Sequence, residues 1–415
     1  MQTNNKGVVI VGAGLAGATC AQTLRQQGYA GSVTLLGDES VPPYNRPPLS
    51  KAYLKGEIEL DRLMLKADEF YTQHQITLHM DCHVTEIDTQ RQVVVSSAGD
   101  IPYSSLVIAT GCLPRSLPVP GAELGNVMHL RTVADADRLK SLYHAGAGHV
   151  AIAGGGFIGL EVAASLRHSG VAVTVIERES RLLARVASPE LSKFFGDYHR
   201  LNGVELLLDS AITELRGLPG GNVQEVVLAD GRVLPVNAVV VGIGAVPNSS
   251  IAQAAGILCD GGIIVDEDCH TSVPDIFAIG DVTRRPMEFY EKSMMRLESV
   301  PSALEQARRV AFGLVGKPLP AAGVPWFWSD QYDVKLQIGG LAHWGDRTIT
   351  RQFEAPNQFA VFHLRADRLV AVEAVNAPQA FVAGQRMIAA GTPIDAARLA
   401  DPAVSMKDLI STTVA

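Results

Sequence analysis

Short apolar runs closed by glycines recur along the chain. Residues 8–11 are Val-Val-Ile-Val and lead into Gly12, Gly14 and Gly17; residues 149–153 lead into Gly154, Gly156 and Gly159; residues 238–241 lead into Gly242, Ile243 and Gly244. Runs this short and this rich in β-branched residues read as parallel strands buried on both faces. Helical patterns over 18–27 and 160–169 and strands over 32–36 and 171–176 follow the first two, so each opens a strand, turn, helix, strand unit. Residues 76–95 alternate as short strands, and 103–108 form another buried strand ending at Ala109, Thr110 and Gly111. Pro114, Pro118, Pro120 and Gly121 mark a linker. Beyond Lys317, Pro318, Leu319 and Pro320 the pattern changes to antiparallel strands over 334–338, 348–353, 359–364 and 369–375, closed by a helix over 378–390. The expected fold class is α/β, with two Rossmann-type dinucleotide-binding domains and a C-terminal α+β domain. The expected boundaries are 1–112 and 245–321 for one dinucleotide domain, 113–244 for the other and 322–415 for the last.

The glycine spacing has a physical meaning. Gly12 makes a tight turn, Gly14 lets the backbone approach a pyrophosphate, and Gly17 allows the helix to pack closely on the strand, with its N-terminus facing the anion. The second copy repeats this with Gly154, Gly156 and Gly159. Glu177 ends the strand that follows, where a carboxylate accepts both hydroxyls of an adenosine ribose and repels an added phosphate. That reading favours NADH, although the neighbouring Arg178 would tolerate the phosphate. In the first copy Gly37 stands where the acid is usual, so Asp38 is either the ribose partner or a loop acid.

Charge and cysteine usage narrow the classes. A net charge of −8 argues against nucleic acid as a partner. The stretch 284–309 reverses that sign locally and reads either as a solvated face or as a steering surface for an acidic partner, with Arg308 on a helix over 302–314. Cys20, Cys82, Cys112, Cys259 and Cys269 show no metal or redox spacing, so no metal is expected and a reducing compartment is. With no apolar run long enough for a membrane helix and no basic-then-apolar start, the chain reads as cytoplasmic, without a membrane partner.

Candidate chemistry follows from the two cradles. Lys51 comes after a stiff Arg46-Pro47-Pro48 stretch, and an ammonium beside a flavin would stabilise the charge that reduction places on the ring. Glu161 is either an acid favoured by the helix dipole or the partner of Lys51 at the nicotinamide. Asp281, beside Gly280, is a turn residue or a contact of the ribityl chain. No cysteine lies in 44–51, where a disulfide reductase would carry its redox pair. Electrons would therefore leave a flavin directly for an external carrier or a small oxidant.

Residues 46–54 (RPPLSKAYL), Leu130-Arg131-Thr132, the second glycine run with Glu161, Ile279-Gly280-Asp281, 298–301 (ESVP) and 326–331 (WFWSDQ) together resemble the ferredoxin reductases of bacterial oxygenase systems, the family of putidaredoxin reductase and the biphenyl dioxygenase reductase. The resemblance implies a glutathione-reductase-like fold with the NAD domain inserted in the FAD domain. It implies non-covalent FAD at Gly12, Gly14, Leu15, Ala16, Gly17, Asp38, Arg46, Pro48, Lys51, Val84, Ala109, Thr110, Gly111, Arg131, Gly280, Asp281, Val300 and Trp328. NADH is implied at Gly154, Gly156, Phe157, Ile158, Gly159, Glu161, Glu177, Gly242, Ile243 and Gly244. It further implies a ferredoxin--NAD(+) reductase with Lys51 and Glu161 as its catalytic pair and an acidic 2Fe-2S ferredoxin docking near Arg308 and Trp328. That ferredoxin would feed a Rieske dioxygenase or a cytochrome monooxygenase, as in aromatic hydrocarbon catabolism. A rubredoxin reductase, an NADH oxidase and a redox-regulated binding flavoprotein are the other readings the scaffold allows.

Overall fold

The computed structural model describes residues 6–144, 146 and 148–411. It divides into two compact units. The first comprises the chain up to Asn45, Asp61–Leu113 and Val246–Gly323; the second comprises Arg46–Leu60, Pro114–Ala245 and the chain from Val324 on.

In the first unit the strand Gly7–Val11 lies between Val33–Leu36 and Gly99–Ile108, parallel to both, with Val11 opposite Leu36 and Ile108. Ile76–His79 extends one edge and Ile276–Ala278 pairs with Leu106, Val107 and Ile108 on the other, again in parallel. The hairpin Val84–Asp88 and Val93–Ser96 continues antiparallel from the start of the long strand. Val8, Val9, Ile10 and Val11 are all buried, as a strand covered on both faces requires. The helix Leu15–Gln26 turns Ala16, Gly17, Ala18, Cys20, Ala21 and Leu24 inward and packs on the helix Val300–Leu314. Small residues let the two axes approach closely.

The second unit carries the repeat of this grammar. Val204–Leu207, Ala172–Ile176, His149–Ala153, Ala238–Val241 and Val127–Met128 form a parallel sheet in that order, with the helix Phe157–His168 after the second glycine turn. Next to it stands an antiparallel meander, Ile212–Gly217, Val223–Leu228 and Val233–Pro235. The C-terminal part is a five-stranded antiparallel sheet, ordered Trp326–Gln331, Val334–Gly340, Arg368–Val375, Phe359–Arg365 and Arg347–Gln352, with the helix Pro378–Ala390 on it.

Two sets of contacts tie together segments of the second unit that are distant in the chain. Val334, Leu336, Ile338, Phe359 and Val361 of the C-terminal sheet share one apolar core with Val150, Ile152, Leu160 and Leu166 of the parallel sheet and its helix. Burial of a common core is non-directional and fuses the two segments thermodynamically. A buried carboxylate, Glu373, adds direction by accepting from the backbone N–H and the hydroxyl of Ser188, the N-cap of the helix Pro189–Leu201. Residues 46–60 fall in the same unit and are tied to it by side-chain contacts. Arg46 donates to the Arg131 carbonyl at 2.7 Å, the Tyr53 hydroxyl donates to Asp137 at 2.6 Å, and Lys140 lies 4.3 Å from the centre of the Tyr53 ring.

Candidate functional site

Both glycine turns have the geometry of an anion cradle. Gly12 has φ +112°, a conformation open to glycine alone among common residues, and a Cβ there would stand 2.3 Å from the Ala109 carbonyl oxygen. A Cβ on Gly17 would stand 2.0 Å from the Gly12 oxygen, so helix and strand touch through bare backbone. Gly14 is the reverse: nothing lies within 4 Å of the Cβ it lacks, and as N-cap of Leu15–Gln26 it supplies no side chain to the first helical N–H groups. Open space before unsatisfied amides is what a pyrophosphate fills. A Cβ on Gly280 would lie 3.1 Å from that of Ala16, so the turn with Asp281 borders the same cradle. Gln306 fixes that turn by accepting from the Gly280 N–H at 3.1 Å and the Thr283 hydroxyl at 2.8 Å. The structure thus brings Gly12, Gly14, Leu15, Ala16, Gly17, Ala109, Gly280 and Asp281 together. Thr110 anchors the adjoining loop through the Asn248 carbonyl at 2.7 Å, and Cys112 is linked to the Asp281 carbonyl at 3.3 Å. Val300 opens the helix that packs on Leu15–Gln26.

Asp38 stands further out. Its side chain is 75% exposed and meets His83 at 3.0 Å, next to Val84. The tight site belongs to Gly37, where a Cβ would meet Ala13 and Met80 below 3.0 Å, so no acid fits at that position without moving Met80.

The second cradle repeats the first. Gly154 has φ +104° and a Cβ there would stand 2.6 Å from the Gly242 oxygen; one on Gly159 would stand 2.4 Å from the Gly154 oxygen. Gly156 is the N-cap, without a side-chain bond, and its nearest neighbour is the Gly242 oxygen at 4.0 Å. The structure therefore gathers Gly154, Gly156, Gly159 and Gly242, with Ile243 and Gly244 in the turn after the facing strand Ala238–Val241. Glu177 reaches back to this turn, accepting from the Gly155 N–H at 2.6 Å and from the Glu179 N–H at 2.9 Å. Arg178 turns away and pairs with Glu179 at 3.1 Å. Ile158 is half exposed, while Phe157 packs edge-on against Phe327 at 4.5 Å.

The polar centre of the second unit is Glu161. It follows the first turn of its helix, which holds no acid, and it is buried, so the helix-dipole reading does not describe it. Its Oε2 accepts from the Lys51 ammonium and the Ser50 hydroxyl, both at 2.6 Å, and its Oε1 accepts from the Ser329 hydroxyl at 2.7 Å. Lys51 and Glu161, which lie 110 residues apart, are thus an ion pair. Charge-assisted bonds of this length are the strong class. Ser50 reads in sequence as a helix cap. Instead its hydroxyl serves Glu161, and its carbonyl accepts from Ser165 at 2.7 Å.

Ser329, Gln331 and His199 extend this centre and were not anticipated. A signal existed: period-two alternation puts Phe327, Ser329 and Gln331 on one face of Trp326–Gln331, and both polar members are buried. Trp328 lies on the other face beside Trp326, at 5.6 Å between ring centres. In the first unit Arg308 is exposed and, with Lys66, Gln22, Gln26, Thr19 and Tyr71, lines a cavity of about 260 Å³. Among the described residues no group of three His, Cys, Asp or Glu is placed to hold a metal, and no helix is long and apolar enough to cross a membrane.

Comparison with known proteins agrees with this geometry. Residues 6–307 match the family described as "Pyridine nucleotide-disulphide oxidoreductase", and residues 326–410 match "Reductase C-terminal". The chain is 45% identical over 406 residues to a probable ferredoxin reductase, CtmF, of Castellaniella defragrans, covering 98% of this chain and 99% of the relative. It is 40% identical to the putidaredoxin reductase CamA of Pseudomonas putida, covering 98% and 97%. The crystal structure of a covalent putidaredoxin reductase–putidaredoxin complex superposes with a TM-score of 0.95 at 39% identity, covering 99% of both chains. With two dinucleotide cradles, a lysine paired to a buried glutamate and relatives of this identity along nearly its whole length, the chain belongs to the pyridine nucleotide-disulphide oxidoreductases and, among them, to the ferredoxin reductases of oxygenase systems.

Proposed function

We propose that this chain oxidises NADH through bound FAD and delivers the electrons singly to an acidic 2Fe-2S ferredoxin that feeds an oxygenase in the cytoplasm. The observation that carries the reading is the Lys51–Glu161 pair, set in a chain with two phosphate cradles and no cysteine in 44–51. Bound FAD supplies the chemistry that links a two-electron donor to a one-electron acceptor. One NADH then serves two ferredoxins and releases one proton.

The residues have distinct parts in this scheme. The amides at Gly14 and Ala16 would hold the FAD pyrophosphate, Asp281 would meet the ribityl chain, and Asp38 and Val84 would serve the adenosine end. The Lys51 ammonium would offset the negative charge that reduction places on the flavin, and Glu161 fixes where that ammonium stands. Gly156 and Ile158 receive NADH, and Glu177 takes the ribose hydroxyls; its bonds to Gly155 and Glu179 hold it beside the cradle and leave acceptor capacity for them. Arg308, with Lys66 nearby, attracts the acidic partner, and Trp328 offers an aromatic contact to it.

The test is stopped-flow reduction of the purified flavoprotein by NADH, followed by cytochrome c reduction with and without a 2Fe-2S ferredoxin. Rapid bleaching and strict dependence on the ferredoxin are expected. Turnover that ignores ferredoxin overturns the assignment, and a preference for rubredoxin reassigns the acceptor.

A further inference from the structure

Glu161 is the end of a longer buried chain of hydrogen bonds. Ser329 is 0% exposed, Gln331 1% and His199 0%. The Gln331 amide nitrogen lies 3.1 Å from the Ser329 oxygen, its amide oxygen 2.8 Å from His199 Nε2, and His199 Nδ1 3.1 Å from the Tyr332 hydroxyl. The direction of every bond follows from the carboxylate. A carboxylate only accepts, so Ser329 spends its single proton on Glu161. Gln331 must then present its NH₂ to Ser329 and its oxygen to His199. His199 must carry its proton on Nε2, which leaves Nδ1 to accept from Tyr332. Burial pushes the His199 imidazolium down to about 4, opposed by the bond to Gln331, so the ring is neutral near pH 7. Burial also raises the Tyr332 phenol, which keeps it a donor.

We propose that Ser329, Gln331, His199 and Tyr332 form a one-directional positioning relay that points every proton at Glu161 and thereby fixes the Lys51 ammonium for flavin reduction. The inference rests on the function proposed above, and it reaches residues on the C-terminal strand and on the helix Pro189–Leu201 that touch neither Lys51 nor a nucleotide cradle. Removing Ser329 takes one of three donors from Glu161 and leaves the Gln331 amide without its acceptor. The carboxylate is then free to shift, and the ammonium with it. NADH binding is expected to change little, because Glu177 is held by the Gly155 and Glu179 amides and Glu161 keeps its bonds from Lys51 and Ser50.

Two measurements test this. In holoenzyme labelled with ¹⁵N-histidine, proton–nitrogen correlation at neutral pH reads the tautomer of His199, assigned by the signal missing from His199→Gln. Protonated Nε2 with bare Nδ1 is expected; a proton on Nδ1 overturns the relay. In stopped flow, Ser329→Ala is expected to slow limiting flavin reduction about tenfold while the apparent Kd for NADH stays within about twofold, and Ser329→Thr, which keeps the hydroxyl, is expected to restore the rate. An unchanged rate in Ser329→Ala, or no rescue by threonine, overturns it. Should Ser329→Ala fail to fold, the wild-type tautomer decides. Failure of ferredoxin reduction with the Nε2 tautomer and the threonine rescue intact would remove the function and leave the relay standing.

Discussion

Replacing Lys51 by methionine keeps the aliphatic stem and deletes the charge, which isolates what the ion pair contributes. In the native protein the ammonium lies 2.6 Å from Glu161 Oε2 and 3.2 Å from the Pro47 carbonyl, with the two side chains 18% and 4% exposed. Truncating one partner of a buried pair costs about 3–5 kcal/mol, because the remaining charge stays desolvated without compensation. Here Ser50 and Ser329 still donate to Glu161, which puts the expected loss at the lower end, about 3 kcal/mol. In the Lys51→Met background, Glu161→Gln removes the stranded charge and should return most of that loss. The double-mutant cycle is therefore expected to give a coupling of about 2 kcal/mol, read from guanidinium unfolding followed by circular dichroism. Lys51→Met should also slow limiting flavin reduction by NADH. Additive single substitutions would refute the ion-pair argument, and a native reduction rate would refute the role at the flavin while sparing the structural one.

Other residues give independent checks. Arg308→Glu reverses an exposed charge and should raise the apparent KM for ferredoxin severalfold, more so at low salt, while ferricyanide reduction is unchanged; equal KM values would remove Arg308 from the docking surface. Glu177→Ala should narrow the preference for NADH over NADPH in paired kcat/KM measurements, and undiminished discrimination would show that another group selects. His199 predicts an acid-side loss of stability. Its folded value of about 4 lies below the unfolded 6.5, so between them the unfolded chain binds a proton that the folded chain refuses, and stability falls as pH drops from 6.5 toward 4. The full effect is about 3 kcal/mol, and His199→Gln should flatten that part of the thermal stability profile; an unaltered profile would contradict it.

The glycine turns were legible because their cause is local. Val8–Val11 and the run at 149–153 are apolar on both faces, and the φ values of Gly12 and Gly154 exclude other residues, so the pattern and its reason sit within ten positions. The contacts of 46–60 were not, since they reach Arg131, Asp137 and Glu161, which lie 84 to 110 residues away in the chain. The pairing of Lys51 with Glu161 was open as one of two readings, and only the 2.6 Å contact between two residues 110 positions apart decides between them. Ser50 misled for a related reason: a serine after two prolines has the look of a cap, and nothing nearby shows that a distant carboxylate claims its hydroxyl. His199 sits on the inward face of an amphipathic helix, where a buried histidine and a hydrogen-bonded one look alike in sequence.

The strand Trp326–Gln331 bears on how the C-terminal segment should be regarded. Its alternation sends Trp326, Trp328 and Asp330 to one face and Phe327, Ser329 and Gln331 to the other. Trp328, the aromatic proposed for partner contact, is therefore bonded directly to Ser329, which donates to Glu161. A segment that served only to dock a partner would need the first face and would tolerate apolar residues on the second. Phe327 meets that description, packing on Phe157. Ser329 and Gln331 do not, because a buried hydroxyl and a buried amide are costly unless each bond is made, and here each is made in the one arrangement that ends at Glu161. The requirement for polar residues at these two positions is thus set by the lysine–glutamate pair, and the C-terminal sheet is part of what holds that pair in place.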